Sequence, residues 1–514
     1  MLRKSFFVLV MVLFVWSGVV LSAPRTGGTF VIAYEGNPIS FNPDWKTDDM
    51  GAGIYPNIFS KLITLDVNYN VIPDLAESWD VSKDGKVYTF HLRKGVKWHD
   101  GIPFTSADVK WTFDKIISAK GSAYNNLEKV KEITCPDDYT VVMKLKEPYA
   151  PFLGFLAWYG TYVMPKHLYA GTDWGTNPHN QNPVGTGPFK FVEWVKGDHV
   201  TLKRNDNYWA GKPYLDKVVY KIIPDSNTAM QAFLNGEADY DENRPGLPLI
   251  PVLQKTPGVR VIITPSPSRY YISFNLRKGR KTSVLLVRQA IELAIDRNEI
   301  VKKVLKNFGK AATGFYTPAI PWACAPDVKL PAMNVEKANE LLDKAGYKKD
   351  AKGIRFTLDL LYFQESDWAD MAAVVKENLA KVGIKVNLGE YEIATWIDKV
   401  VKAHNFDFAL LDGFQGPDPD NLRLRVGTHG TLQFMGYSNS EVDEALDKGS
   451  QIADIQKRKP YYYKVERLLA RDLPILPLAE VVYVHIFKNY VHGLPIEEPG
   501  KVGTGNYYLV WLSK

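Results

Sequence analysis

The sequence predicts an α/β protein in two lobes of comparable mass, and three stretches carry that expectation. Residues 355–421 read as β-α-β-α-β, the unit of a parallel sheet with right-handed crossovers. Residues 78–92 and 140–146 read as antiparallel strands in the first third of the chain. Between the two regimes lies Thr264-Pro265-Ser266-Pro267-Ser268, where strand-rich sequence gives way to long helices.

At about 150 residues per domain, 514 residues suit two to four domains and bury enough surface to need no disulfide or metal staple. With 46% hydrophobic and 23% charged residues, the composition excludes a disordered chain and a fibre. The 13 Trp, 28 Tyr and 24 Phe stand out, because the polar tips of Tyr and Trp need partners when buried. The net charge of +6 is a small difference between interleaved signs, without the basic patch that nucleic-acid binding needs. Arg3-Lys4, the apolar stretch 6–21 and the small residues Ser22 and Ala23 read as a secretory signal peptide over 1–22, cleaved after Ser22. No Cys is nearby, so a lipoprotein is not expected. Cys135 and Cys324 are either a bridge or two buried small hydrophobes.

In order along the chain, Asp84-Gly85 supplies the positive φ of a tight hairpin turn between alternating segments within 78–92. Helices are expected over 284–306 and over 335–345, the latter capped by Asn334 and stopped by Gly346. In the parallel unit, strands are expected over 356–361, 384–388 and 406–411. Helices are expected from Ser366 and over 394–403, with Gly383 as a stop. Ligands of open α/β sheets bind outside the carboxyl ends of such strands, which nominates loops 362–365, 390–392 and 412–421. Residues 481–487 read as a strand, and the aromatic tail 506–511 is expected to return to the first lobe.

No catalytic constellation is present: there is no G-x-S-x-G elbow and no phosphate loop, and no two histidines have zinc spacing. Gly185-Thr186-Gly187 and His99-Asp100 read as turns, and Asp418-Pro419-Asp420-Asn421 as a loop scaffold rather than a calcium loop. Neither a metal nor a cofactor is expected. A secreted glycoside hydrolase, whose two carboxylates could come from any of 57 acidic residues, is the remote alternative.

Several segments together resemble one family. The most specific runs from Leu75-Ala76-Glu77-Ser78-Trp79 through Gly95-Val96-Lys97-Trp98-His99-Asp100-Gly101 to Phe104-Thr105-Ser106-Ala107-Asp108-Val109. Val184-Gly185-Thr186-Gly187-Pro188-Phe189, Asn235-Gly236-Glu237-Ala238-Asp239 and Ala294-Ile295-Asp296-Arg297 follow in order. They are similar to the extracytoplasmic solute-binding proteins of oligopeptide-type ABC importers, solute-binding family 5. The resemblance implies a large, type II, two-lobed periplasmic binding protein-like fold, with a subdomain near 60–183 inserted into the first lobe. The first lobe would span 24–268 plus 485–514 and the second 269–484. It implies a periplasmic, monomeric, non-enzymatic binder that closes on a solute between its lobes and hands it to a membrane permease with its ATPase subunits.

Family members that bind peptides carry an Asp in the last loop of the parallel unit, paired with the ligand's α-amino group. Here, in 412–421, Gln415 takes that place or the Asp is deleted, with Asp412 near the same space. A neutral amide cannot replace a charge-assisted bond, so a neutral ligand, a short oligosaccharide, is expected, with an oligopeptide as the alternative. Trp396, Phe414 and Tyr362 are the expected apolar platforms and Gln415 and Gln364 the hydrogen-bonding groups. Tyr34 and Asn37 face them from the first lobe. Trp158, Tyr159 and Tyr162 either face the cleft or fill the insertion.

Overall fold

Two long strands organise the molecule. In the computed structural model, which describes residues 23–46, 48–242, 246–364 and 367–514, Val259–Phe274 and Ile475–Lys488 run antiparallel through both lobes. Their apolar side chains alternate with polar ones where one face meets solvent and run together where both faces are covered, as at Ile475-Leu476-Pro477-Leu478-Ala479. The signal-peptide expectation for 1–22 lies outside the described residues.

One sheet passes through the whole molecule. On the second-lobe side the order outward is Ile475–Lys488, Val259–Phe274, Phe408–Phe414, Phe356–Phe363, Ile384–Tyr391. The last three are parallel to one another, as the β-α-β-α-β reading requires. On the first-lobe side, Tyr240–Asp241, Thr29–Tyr34 and Lys217–Ile222 follow, then His199–Arg204 and Phe189–Val195. A separate four-stranded sheet over 76–145 includes Ala76–Val81 and Val87–Leu92 around the Asp84-Gly85 turn, and the helix Ser106–Ala119 lies beside it. The tail returns to the first lobe, where Tyr507, Val510 and Leu512 join the core of Phe30, Ile32 and Tyr220.

Two expected helices differ. Residues 284–306 form two helices, Leu285–Ala294 and Arg297–Lys303. The Asp296 side chain accepts from Asn298 N and Glu299 N, and this new N-cap stops the first helix and starts the second. Residues 394–403 begin as Ile393–Trp396 and continue as a wider turn over Ile397–Lys402. Helix Val335–Lys344 carries its Asn334 cap, with Gly346 beyond it at φ 86°. Cys135 and Cys324 are both unpaired, one in the insertion and the other beside Tyr316 in the second lobe.

Scaffold motifs have local causes. Gly185 and Gly187 lie against the backbone of Ile58, where a Cβ would overlap its carbonyl, and Gly187 N donates to that oxygen. His99 accepts from Gly185 N and donates to Gly187 O; burial pushes its pKa down to about 4, so it is neutral and structural.

The crossing strands keep one register up to Pro265↔Val482, resume pairing in a shifted register at Arg269↔Glu480, and shift again between Tyr270 and Tyr271. Just past that break, the fully buried Arg269 guanidinium pairs with the Glu480 carboxylate and donates to Gly314 O at 2.8 Å. Arg269→Met strands a buried carboxylate and is expected to cost about 3–5 kcal/mol. R269M/E480L should recover most of that loss in chemical denaturation.

Candidate functional site

Phe414 ends the last parallel strand, opposite Ser268 of the crossing strand. Gly413 before it must be small, because the Arg425 side chain lies across it; Arg425 also donates to Phe414 O at 3.1 Å. Held this way, the Phe414 ring stacks on Trp158 of the insertion, with centroids 4.2 Å apart and planes 12° apart, and meets Tyr69 at 5.7 Å. This aromatic contact bridges the two lobes.

Each partner is locally fixed. Lys61 Nζ, buried, donates to Ala157 O at 3.1 Å and Trp158 O at 2.5 Å, holding the turn that presents Trp158. Tyr69 has φ 62°, uncommon for a bulky residue. The Asp66 carboxylate stabilises it by accepting from Asn68 N and Asn70 N on either side. Two further contacts join insertion and second lobe: Tyr149 OH donates to Asp420 Oδ2 at 3.2 Å, and Ala150 N donates to Ser450 O at 2.7 Å.

The Asp418 and Asp420 carboxylates are spoken for. Asp418 takes a bidentate pair from Arg458 at 2.8 Å and 2.8 Å, and Asp420 pairs with Arg423 at 2.9 Å. The segment is a scaffold for the loop that carries Phe414.

Beside the bridge lies a cavity of about 130 Å³, walled by Tyr69, Tyr240, Tyr483, His485 and Tyr507, with Glu242 in its lining. Glu242 follows strand Tyr240–Asp241 at the same carboxyl edge as Tyr34, its N–H bonded to Ala33 O at 3.1 Å. Burial, with the adjacent Asp241 charge, pushes its carboxyl up to about 7, against a hydrogen bond with Tyr507 that lowers it. Burial holds His485 at about 4, so it carries no charge at neutral pH. A larger cavity of about 370 Å³, lined by Lys61, Asp74, Arg93 and Trp209, is walled by first-lobe residues alone and is not a site held between lobes.

Of the eight expected site residues, Phe414 stands at the interlobe contact. Gln364 is exposed at the carboxyl end of Phe356–Phe363, whereas Tyr362, 4% exposed there, belongs to the second-lobe core and presents no open platform. Asp412 is exposed, in register with Tyr270. The other four are corrected. Gln415 is 2% exposed and its amide is consumed by backbone, accepting from Thr317 N at 2.8 Å and donating to Phe315 O at 3.1 Å. Trp396 packs between Phe363 and Phe434 in the second-lobe core. Tyr34 is buried, its hydroxyl bonded to Met50 O at 2.5 Å and its ring on Tyr220. Asn37 accepts from Trp194 Nε1 and Gly197 N, tying a hairpin rather than facing the second lobe. Tyr69, Glu242 and Tyr483, which line the cavity beside the bridge, were not among the expected residues. The pattern Asp66-Val67-Asn68-Tyr69-Asn70 signals a turn, but nothing in it says what Tyr69 meets.

With this geometry in hand, the comparisons place the chain. Residues 70–431 match the model of bacterial extracellular solute-binding proteins, family 5 middle. The chain belongs to this family. It is 32% identical over 474 residues to the oligopeptide-binding protein AppA of Bacillus subtilis, covering 88% of this chain and 86% of that one. The AppA structure with a nonapeptide superposes with TM-score 0.80 at 28% identity, covering 96% and 100%. The ABC transporter substrate-binding protein CtaP of Listeria monocytogenes gives TM-score 0.86 at 26% identity, covering 95% and 100%. This family 5 protein is thus an extracytoplasmic, two-lobed substrate-binding component of an ABC importer and not an enzyme. Among the described residues, no helix is long and apolar enough to cross a membrane.

Two measurements test the site. Trp158→Ala removes a stack worth about 0.5–1.5 kcal/mol beyond its buried area. The unliganded open form should therefore rise roughly twofold to tenfold in single-molecule energy transfer between dyes on the two lobes. The second concerns pH. Glu242 titrates near 7 in the fold against a reference of 4.5, so the folded chain holds its proton more tightly than the unfolded one. Its contribution favours the fold below about 4.5 and is lost as pH rises toward 7. The melting temperature of wild type relative to E242Q should fall across that window and be flat above it.

Proposed function

We propose that this family 5 solute-binding protein captures short peptides between its lobes and delivers them to its permease. The observation that carries this reading is the likeness, over 88% of the chain, to a protein named for oligopeptide binding, together with the matching structure that holds a nonapeptide. The dipeptide-binding protein of Escherichia coli, 28% identical over 507 residues, supports the same class. Aromatic faces at the lobe boundary suit side chains of varied shape, and crossing strands at the floor offer main-chain groups to an extended chain.

The expected neutral oligosaccharide gives way. It leaned on Gln415, whose amide is already committed to backbone, and the relatives named above are described by peptides. The residues Arg3 and Lys4 with the apolar stretch after them support export through a cleaved signal peptide, without a lipid anchor.

A thermal-shift panel separates the two ligand classes. At a hundredfold excess over the dissociation constant, di- to pentapeptides should add about 2.7 kcal/mol of stability. Gluco-, manno- and xylo-oligosaccharides should add none. Stabilisation by an oligosaccharide alone overturns the peptide reading.

A further inference from the structure

The first-lobe cavity of about 370 Å³ gathers hydrogen-bond donors in its wall. Lys61 is 9% exposed, and burial pulls its ammonium down to about 8, against the Asp74 and Asp44 charges that raise it. The Arg93 guanidinium lies over the Trp209 ring, 4.7 Å from its centroid, and its Nε donates to Asp74 O at 2.7 Å. Among the described residues, Nε alone of the Arg93 guanidinium nitrogens is bonded, and the enclosed Trp209 Nε1 has no acceptor. Asp74, the one carboxylate among the described lining residues, accepts from Lys61 N at 2.8 Å. Burial raises its carboxyl to about 7, so at neutral pH it carries only part of a charge. The exposed Lys501 is paired with Glu498 at 2.6 Å. An enclosed donor without an acceptor is costly. A guanidinium fork held on a ring beside a buried ammonium suits a carboxylate, whose two oxygens accept parallel N–H bonds.

We propose that this cavity is a second ligand site, for a small organic carboxylate with an apolar body, separate from the space between the lobes. The Arg93 fork takes the carboxylate, Trp209 Nε1 donates to it, and Lys61 supplies the neighbouring positive charge. The rings of Phe59, Tyr162 and Tyr208 offer the body apolar faces. About 370 Å³ is the liquid volume of roughly twelve waters, room for an acid of the size of benzoate. The described walls come from 56–74, 93, 157–162, 208–210 and 501–508, so the ligand meets the first lobe alone. The site is independent of the solute class that the lobes close on.

Because Trp158 lies in this wall and also stacks on Phe414 across the lobes, the test distinguishes the cavity from the cleft. It uses the full protein with ¹⁵N-labelled tryptophan, and sodium benzoate, benzamide and sodium chloride as probes. The Trp209 indole N–H signal, assigned by its loss in Trp209→Phe, should move and saturate with benzoate. Benzamide should bind roughly tenfold or more weakly, as expected for hydrogen bonds to a charged group. Chloride at the same ionic strength should give no saturating shift. Arg93→Gln, its fold checked by melting temperature, should weaken benzoate to the level of benzamide. The response to benzoate should persist with trialanine in excess. No saturating shift with benzoate, a like shift with chloride, or equal affinity for benzamide in wild type overturns the proposal whether or not the variant folds. A wild-type benzoate affinity in folded Arg93→Gln also overturns it. So does a shift abolished by trialanine, which places the anion between the lobes.

Discussion

The structure hangs on two crossing strands and the place where their pairing breaks. The ladder between Val259–Phe274 and Ile475–Lys488 lapses between Pro265 and Arg269, where Pro265 and Pro267 have no N–H to give. On the second-lobe side the Arg269–Glu480 pair stands where the ladder starts again, in a shifted register, inside the core. A continuous pair of strands keeps the lobes attached, and a short gap in its hydrogen bonds offers a place for them to turn. A hinge of this kind needs both, because unbroken pairing resists bending and a full break would free the lobes.

What the lobes do when together follows from which groups remain available. Phe414, Trp158 and Tyr69 are each held by hydrogen bonds to the backbone around them, so their rings meet at a defined angle. Most polar groups near the second-lobe loop are used up. Gln415 serves the 315–317 backbone, and Asp418 and Asp420 serve arginines. The arginine pairs offset part of the cost of burying Asp418 and Asp420 and fix the loop, although burial still raises the Asp420 carboxyl.

Much of the scaffold was legible. The β-α-β-α-β rhythm of 355–421 gave three parallel strands because apolar runs bounded by Gly stops fit nothing else of that length. The Asp84-Gly85 hairpin and the Asn334 cap were local chemistry that tertiary contacts did not override. The failure at 284–306 was also local: Asp296 was available as a cap, and the apolar period hid it. Phe414 lies at the end of its expected strand, where it meets Trp158 of the insertion.

The residues misplaced by sequence share a cause. Trp396, Tyr34 and Gln415 have the right chemistry for a ligand and lie near the right loops, but each is turned inward by neighbours distant in the chain: Phe434, Tyr220 and Thr317. Sequence by itself determined the fold class, the family and the parallel strands with the loops at their carboxyl ends, because periodicity, turns and caps act over a few residues. Only the tertiary structure decided which aromatics meet across the lobes and which carboxylates of the 412–421 loop are held by arginines. Those depend on pairs such as Trp158 with Phe414 and Asp418 with Arg458, and no local pattern records a contact across that many residues.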